Sequence, residues 1–128
     1  MLISDLIEEI EALKRANRDV DVKIALTVGW QRKVELENQR EGSRNVVWYW
    51  QGEATGKLPP FTASVDAALQ LLGAVCGRFV GGISWVGDKD EKLATVSIVG
   101  HKYCHASTPA LALCATALRI KQSHLNDD

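Results

Sequence analysis

The sequence predicts an α+β domain in which a three-stranded antiparallel sheet is sandwiched between helices, an α-β-α sandwich with the order ααβαββα. The segment 107–121 is apolar on nearly every side, which is typical of a buried central helix. The segments 46–50 and 83–98 carry the β-branched and aromatic residues, or the alternation, of strands. Few strands lying between several helices favour a layered α+β arrangement.

Composition places residues 1–128 in one domain, with 46% hydrophobic and 24% charged residues. The formal net charge of −1 argues against a nucleic-acid or membrane-surface protein. The sequence has no apolar run that could span a bilayer, and residues 1–5 lack the pattern of a secretory signal. The three cysteines form no CxxC pair, which predicts free thiols in a reducing cytoplasm.

Two helices are predicted at the start of the chain. Ser4 precedes apolar residues at helical spacing and is expected to cap a helix within 1–17, which is either part of the core or peripheral. Asp19 is expected to cap a second helix that ends near Gly29. The alternation at 20–24 also fits a strand, so both interpretations stay open there.

The middle of the chain predicts one strand between two connections. The charged, glycine-bearing segment 31–44 is expected to be a surface connection. The strand at 46–50 follows, and 52–56 is expected to be a turn. A third helix is expected to be capped by Ser64, or by Thr62 in an alternative register, and to stop near Gly73.

The last third predicts a hairpin followed by the central helix. The hairpin turns at 87–92, and 101–107 connects its second strand to the helix. Thr108 can cap that helix, and Pro109 fits its first position. A second apolar face of the helix is a candidate dimer interface if the monomer leaves it exposed; it consists of Leu113, Ala117 and Ile120.

Two motifs together resemble a known family. Residues 58–69 begin with the form L-P-x-[FY]-T-x-S-x-D-A-A, and after a tryptophan-containing hairpin come Thr108-Pro109 and the apolar run to Arg119. This pairing is similar to the phage α-β-α (ABA) sandwich domain family of small phage and prophage proteins. The resemblance implies an α-β-α sandwich fold, a phage or prophage origin and thus the cytoplasm of a bacterial host. It implies no activity and no site residues.

Metal and thiol chemistry have few candidates in the sequence. His101, Cys104 and His105 are weak candidates for zinc ligands, but a tetrahedral site needs about four ligands. In an extended chain Cys104 and His105 point to opposite sides, so the imidazole would not reach the thiol. Cys76 and Cys114 lie in apolar segments, where thiols are inert. We therefore assign no catalytic residue and expect no cofactor.

A small-ligand site is the other candidate. Tryptophans on the predicted strands could stack on a flat ligand if part of the sheet stays open, although a core position for at least two of them is the competing interpretation. Arginines, or the free N–H groups where the third helix starts, could hold anionic groups. The candidate residues are Trp48, Trp50, Trp85, Arg44, Arg78, Thr62 and Ser64.

These observations favour a non-catalytic phage or prophage accessory protein that acts by binding. Its expected partners are an unknown host or phage protein and, as a homodimer, a second copy of the chain. The alternative is a protein that binds or sequesters a small, nucleotide-like ligand. A thiol- or zinc-dependent enzyme is the third hypothesis.

Overall fold

The computed structural model describes residues 2–36, 44–88 and 92–126, and at 34–36, 44–45 and 126 it describes the backbone alone. The helices in these ranges are α1 (Ile3–Ala12), α2 (Arg18–Val28), α3 (Val65–Cys76) and α4 (Pro109–Asn126). The strands are β1 (Gln31–Leu36), β2 (Arg44–Trp50), β3 (Glu53–Gly56), β4 (Gly81–Gly87), β5 (Lys92–Ile98) and β6 (Cys104–Ala106). None of the described helices is both long enough and apolar enough to cross a membrane.

The predicted α+β class is confirmed, and the order of the elements agrees roughly with the prediction. The structure has two three-stranded antiparallel sheets, β1-β2-β3 and β4-β5-β6, where the sequence predicted a single one. The strands that the sequence did not predict are β1, β3 and β6. Each lies in a segment that was expected to be a connection or a turn, because short or charged strands resemble loops in composition.

Helix α4 is the centre of the fold. It contacts α1, α2 and α3 as well as the strands β4, β5 and β6. Every residue from 110 to 118 is buried, as the all-round apolar pattern predicts. The Thr108 hydroxyl accepts a hydrogen bond from the N–H of Leu111 at 3.2 Å, which confirms the predicted cap.

The second apolar face of α4 is buried within the monomer. Leu113, Ala117 and Ile120 are at most 1% exposed. The condition for a dimer interface on this face is therefore not met.

Helix α1 belongs to the core. Leu6 and Ile10 are fully buried, and the helix packs against α4. Of the two positions left open for the helix within 1–17, the structure therefore shows the core position. The predicted cap is wrong, because the helix begins at Ile3 without a side-chain cap and Ser4 lies inside it.

Helix α2 settles the ambiguity between helix and strand at 20–24. Its cap is Asn17, whose Oδ1 accepts a hydrogen bond from the N–H of Val20 at 3.1 Å, and not Asp19, which lies in the first turn. The helix ends at Gly29 with a left-handed φ of 111°, as predicted.

Helix α3 starts at the predicted residue and ends later than predicted. The Ser64 Oγ accepts a hydrogen bond from the N–H of Ala67 at 3.2 Å. The helix continues through Gly73 to Cys76, and Gly77 follows it with a φ of 70°. One glycine inside a helix is tolerated when the helix is buried against its neighbours.

The β4–β6 sheet has one covered and one open face. Along β5, Ala94, Val96 and Ile98 are buried, while Thr95 and Ser97 point the other way and are partly exposed. Because α4 packs against all three strands, the buried side is the one that faces α4. Of the predicted hairpin turn, residues 89–91 lie outside the described part of the chain.

Strands β1 and β3 of the first sheet occupy two segments that were predicted to be a connection and a turn. Strand β1 occupies 31–36 of the predicted connection, while 37–43 lie outside the described residues. Its cations cover aromatic rings of β2: Arg32 lies 5.7 Å from the ring centre of Trp48, and Lys33 lies 4.8 Å from that of Tyr49. These contacts explain how a charged segment forms a strand here.

Candidate functional site

Three aromatic rings from distant parts of the chain meet beside the β1–β3 sheet. Trp30 and Trp50 stack with their ring centres 5.2 Å apart and their planes inclined by 28°. Phe61 meets Trp30 edge-on, at 6.2 Å and 74°. Both geometries are favourable for aromatic pairs. The cluster forms one wall of a cavity.

This cavity, the aromatic pocket, has a volume of about 360 Å³. That volume is within the range of roughly 300–1,000 Å³ that is usual for small-ligand sites. Among the described residues of its lining Lys57 is the only charged one, and Thr55 and Gln70 supply further polar groups. The other lining residues are Val28, Trp30, Trp50, Pro59, Phe61, Leu71 and Ala74. A pocket whose described lining has aromatic walls, one cation and no carboxylate suits a flat ligand that is neutral or anionic.

Gly29 positions the Trp30 ring. Its positive φ turns the chain sharply at the end of α2, and the N–H of Trp30 donates to the carbonyl of Ala25 at 2.9 Å. A Cβ on Gly29 would lie 3.9 Å from the Trp50 ring, which is ordinary contact. The backbone conformation, and not a lack of space, is therefore what requires glycine here.

The buried carboxylate of Asp21 positions the Phe61 ring. Asp21 is only 2% exposed, and its Oδ1 accepts hydrogen bonds from the N–H of Thr62 at 2.8 Å and from the Thr62 hydroxyl at 2.7 Å. The Thr62 Oγ1 in turn accepts from the N–H of Asn17 at 2.9 Å. These bonds, which we call the Asp21–Thr62 clamp, fasten Thr62, and with it the neighbouring Phe61, to the start of α2.

Arg18 completes this clamp from the solvent side. Its guanidinium pairs with the Asp21 carboxylate at 3.0 Å. It also donates to the carbonyl of Pro59 at 3.1 Å and to that of Leu58. The segment 58–62 is thus held along α2, so that Pro59 and Phe61 line the pocket.

One tryptophan of the predicted ligand set lies in the aromatic pocket, and two do not. Trp50 is part of the stack. Trp48 is buried, with Arg32 over its ring, but it is the one buried tryptophan of the three, whereas the core interpretation expected at least two. Trp85 lies on β4 in the other sheet and is 67% exposed.

The polar residues of that set do not line this pocket either. Thr62 is buried in the clamp with Asp21, and Ser64 caps α3, so both have structural roles. Arg78 borders a different cleft, beside His101 and His124. The backbone of Arg44 pairs with Leu36, and its side chain is outside the described part of the structure.

The residues that sequence reasoning missed are Trp30, Lys57 and Phe61. Trp30 follows the end of α2 directly, but its ring partners come from β2 and the 58–62 segment. The available signals were a tryptophan directly after a helix-ending glycine and a phenylalanine after two prolines. Neither shows by itself that the residues meet.

The candidate zinc ligands do not converge. Cys104 is buried on the α4 side of β6, while His105 is exposed and its Nδ1 lies 2.8 Å from the Thr95 Oγ1 on the open face. His101 is exposed outside β6. In the described ranges no group of three or more His, Cys, Asp or Glu side chains could hold a metal ion.

The thiols are in settings that disfavour the reactive thiolate. Burial raises the pKa of Cys76, Cys104 and Cys114. At Cys114 the negative charge of Asp21 raises the pKa further, and the Sγ lies 3.2 Å from the Phe61 carbonyl. All three thiols are free of disulfides, as the sequence predicts.

A second cleft of similar size lies beside β6 and α4. It has a volume of about 370 Å³ and is bordered by His101, Lys102 and Arg119. The Arg119 guanidinium is already paired with the carboxylate of Glu11 on α1. This pairing holds the pKa of Arg119 above the usual value. The described residues that border this cleft include no Trp, Tyr or Phe, so the aromatic pocket is the better candidate for a ligand site.

Comparison of the chain with protein-family models, with curated proteins and with solved structures finds no match. The geometry of the pocket is therefore the basis for a functional proposal.

Proposed function

We propose that this protein is a non-catalytic binding protein whose aromatic pocket takes a flat, nucleotide-like ligand with an anionic group. The observation that carries the proposal is the Trp30–Trp50 stack with Phe61 at its side, in a cavity that Lys57 borders. Stacking of a base on an aromatic side chain contributes roughly 1–3 kcal/mol and tolerates different bases.

Lys57 supplies the charge preference. It is exposed, and none of the described residues brings a carboxylate to the cavity, so a phosphate group at the rim would meet the positive charge of Lys57. Thr55 and Gln70 could hydrogen-bond the edge of a ring. The raised thiol pKa values argue against a thiol-dependent reaction as the alternative.

The biological setting is a proposal as well. We propose a phage or prophage accessory protein in the cytoplasm of a bacterial host, on the two motifs at 58–69 and 108–119. The free cysteines are consistent with a reducing compartment. In this setting a pocket for nucleotide-like ligands would bind or sequester a molecule of the host, and a host or phage protein remains the proposed alternative partner.

Tryptophan fluorescence tests the pocket directly. The titration uses a Trp85→Phe variant. This substitution removes the fluorescence of the exposed tryptophan outside the pocket and leaves the Trp30–Trp50 stack intact. We expect saturable quenching by adenosine monophosphate, and weaker binding of adenosine, which lacks the charge for Lys57. The proposal fails if none of the four common nucleoside monophosphates gives a saturable change.

Two substitutions separate stacking from charge. Trp50→Leu removes one ring of the stack and should weaken binding about tenfold, which corresponds to ~1.4 kcal/mol of stacking. Lys57→Gln should weaken the binding of adenosine monophosphate only, so that this variant binds adenosine monophosphate and adenosine equally. If Lys57→Gln weakens both ligands alike, the assigned role of the lysine is wrong.

A further inference from the structure

The two sheets end in outer strands that differ in how well they are protected from pairing with other chains. The outer strands are β1, β3, β4 and β6. Strand β1 contains Arg32, Lys33 and Glu35, and β3 and β6 have only four and three residues. Charge and shortness are the usual means of blocking unwanted strand pairing.

Strand β4 has neither protection. It is seven residues long, its sequence Gly-Gly-Ile-Ser-Trp-Val-Gly has no charged residue and no proline, and β5 is the only described strand that pairs with it. Large apolar side chains are exposed along it and at its end, at Val80, Trp85 and Val86. A long, neutral, apolar edge strand favours addition of another strand.

Trp85 is the least expected of these exposed residues. Trp85 pairs with Ala94 of β5, and Ile83 pairs with Val96. The side chains of Trp85 and Ile83 therefore lie on the sheet face that α4 covers. Ile83 is half-buried there, yet Trp85 is 67% exposed. The helices of the monomer leave this ring uncovered.

We propose that β4 pairs antiparallel with β4 of a second copy, about a twofold axis at Ser84. The axis places Trp85 opposite Ile83 of the second copy and Val86 opposite its Gly82. Two three-stranded sheets then join into one sheet of six strands. The interface is isologous, since each copy contributes the same strand.

A second copy fits this strand better than an unrelated chain for two reasons. A twofold axis at Ser84 sets this residue against itself and brings its neighbours close to their own copies, so a charge there would lie near a like charge, and β4 has none. An aromatic ring opposite a β-branched residue is a favourable cross-strand pair. Gly82 also leaves room for Val86 of the second copy, because a Cβ there would meet nothing within 4 Å.

The oligomeric state of the full chain tests this proposal. Light scattering coupled to size exclusion should give twice the chain mass for the wild type. Ser84→Lys sets two lysines opposite each other and should weaken the dimer about fivefold or more, as should Ser84→Glu. A mixture of the two variants should recover the dimer, because the paired positions then carry opposite charges.

His105→Lys is the matched control. It adds the same charge to the same open face of the sheet, but on β6 at the opposite edge, and should leave the dimer intact. A monomeric wild type overturns the proposal, and so does a Ser84→Lys variant that dimerises like the wild type. If both Ser84 variants unfold, hydrogen exchange of the wild type decides, since β4 amides must lose protection on dilution.

None of these substitutions touches the aromatic pocket. Loss of the dimer with nucleotide binding retained, or the reverse, therefore distinguishes the two proposals.

Discussion

Among single residues, Asp21 connects the fold to the candidate site. Its carboxylate is almost fully buried, yet its Oδ1 accepts two hydrogen bonds from Thr62 and its Oδ2 pairs with Arg18. A buried charge is tolerated only with such partners. Because Thr62 directly follows Phe61, the carboxylate stabilises the chain and fixes one wall of the pocket.

Asp21→Ala should lower the free energy of unfolding by about 2 kcal/mol, because the N–H and hydroxyl of Thr62 lose a buried acceptor. Urea unfolding, followed by circular dichroism, measures the change. Asp19→Ala is the control on the same helix: Asp19 is exposed and its loss should cost about 0.5 kcal/mol or less through the helix dipole. Equal losses for the two variants would contradict the clamp.

At the level of elements, the glycines of α2 and α3 have opposite roles. Gly29 ends α2 with a φ of 111°, a conformation that side chains with a Cβ rarely adopt. Gly73 lies inside α3, and a Cβ there would meet nothing within 4 Å. The first glycine is required by the backbone, whereas the second only adds freedom to the unfolded chain.

Gly29→Ala should therefore lower the free energy of unfolding by about 1–2 kcal/mol, and Gly73→Ala should raise it by about 0.5–1 kcal/mol. Thermal or urea unfolding of the two single variants gives the signs. The first variant should also weaken binding in the aromatic pocket, since it turns Trp30 away from Trp50. The assigned roles are wrong if both variants change stability in the same direction.

The elements also show how far the sequence could predict this structure. Helix α4, the Ser64 cap and the strand β2 were predicted because their signals are local: an apolar pattern, a capping side chain, a run of β-branched and aromatic residues. Strand β1 was missed because its cations, which lie over Trp48 and Tyr49, look like those of a solvated loop.

The candidate site was harder to predict than the fold. Trp50 was a candidate, but its neighbours Trp30 and Phe61 lie 20 and 11 positions away in the sequence, and only the tertiary fold shows that they meet. Ser64 and Thr62 were ligand candidates because the start of a helix can hold an anion, but the cap and the bonds to Asp21 explain both residues structurally.

For the whole molecule, the two buried thiols link stability to pH. Cys104 on β6 and Cys114 on α4 both lie in the core around that helix. Burial raises the pKa of each, and the charge of Asp21 adds to the effect at Cys114. The folded chain therefore keeps protons that the unfolded chain releases near pH 8.5.

A raised folded-state pKa means that the stability contribution is complete below about pH 8.5 and is lost as pH rises above it. For Cys114 this loss should approach about 1.4 kcal/mol of unfolding free energy per pH unit in that range, and Cys104 should add to it in the same direction. Urea unfolding from pH 7 to 10, with a reductant present, measures this slope. Cys114→Ala removes one of the two thiols, so its stability should fall less steeply than that of the wild type above pH 8.5, by about 1.4 kcal/mol per unit. Since this comparison concerns slopes, any loss of packing in the variant cancels, and equal slopes would show that Cys114 ionises alike in the folded and unfolded chain.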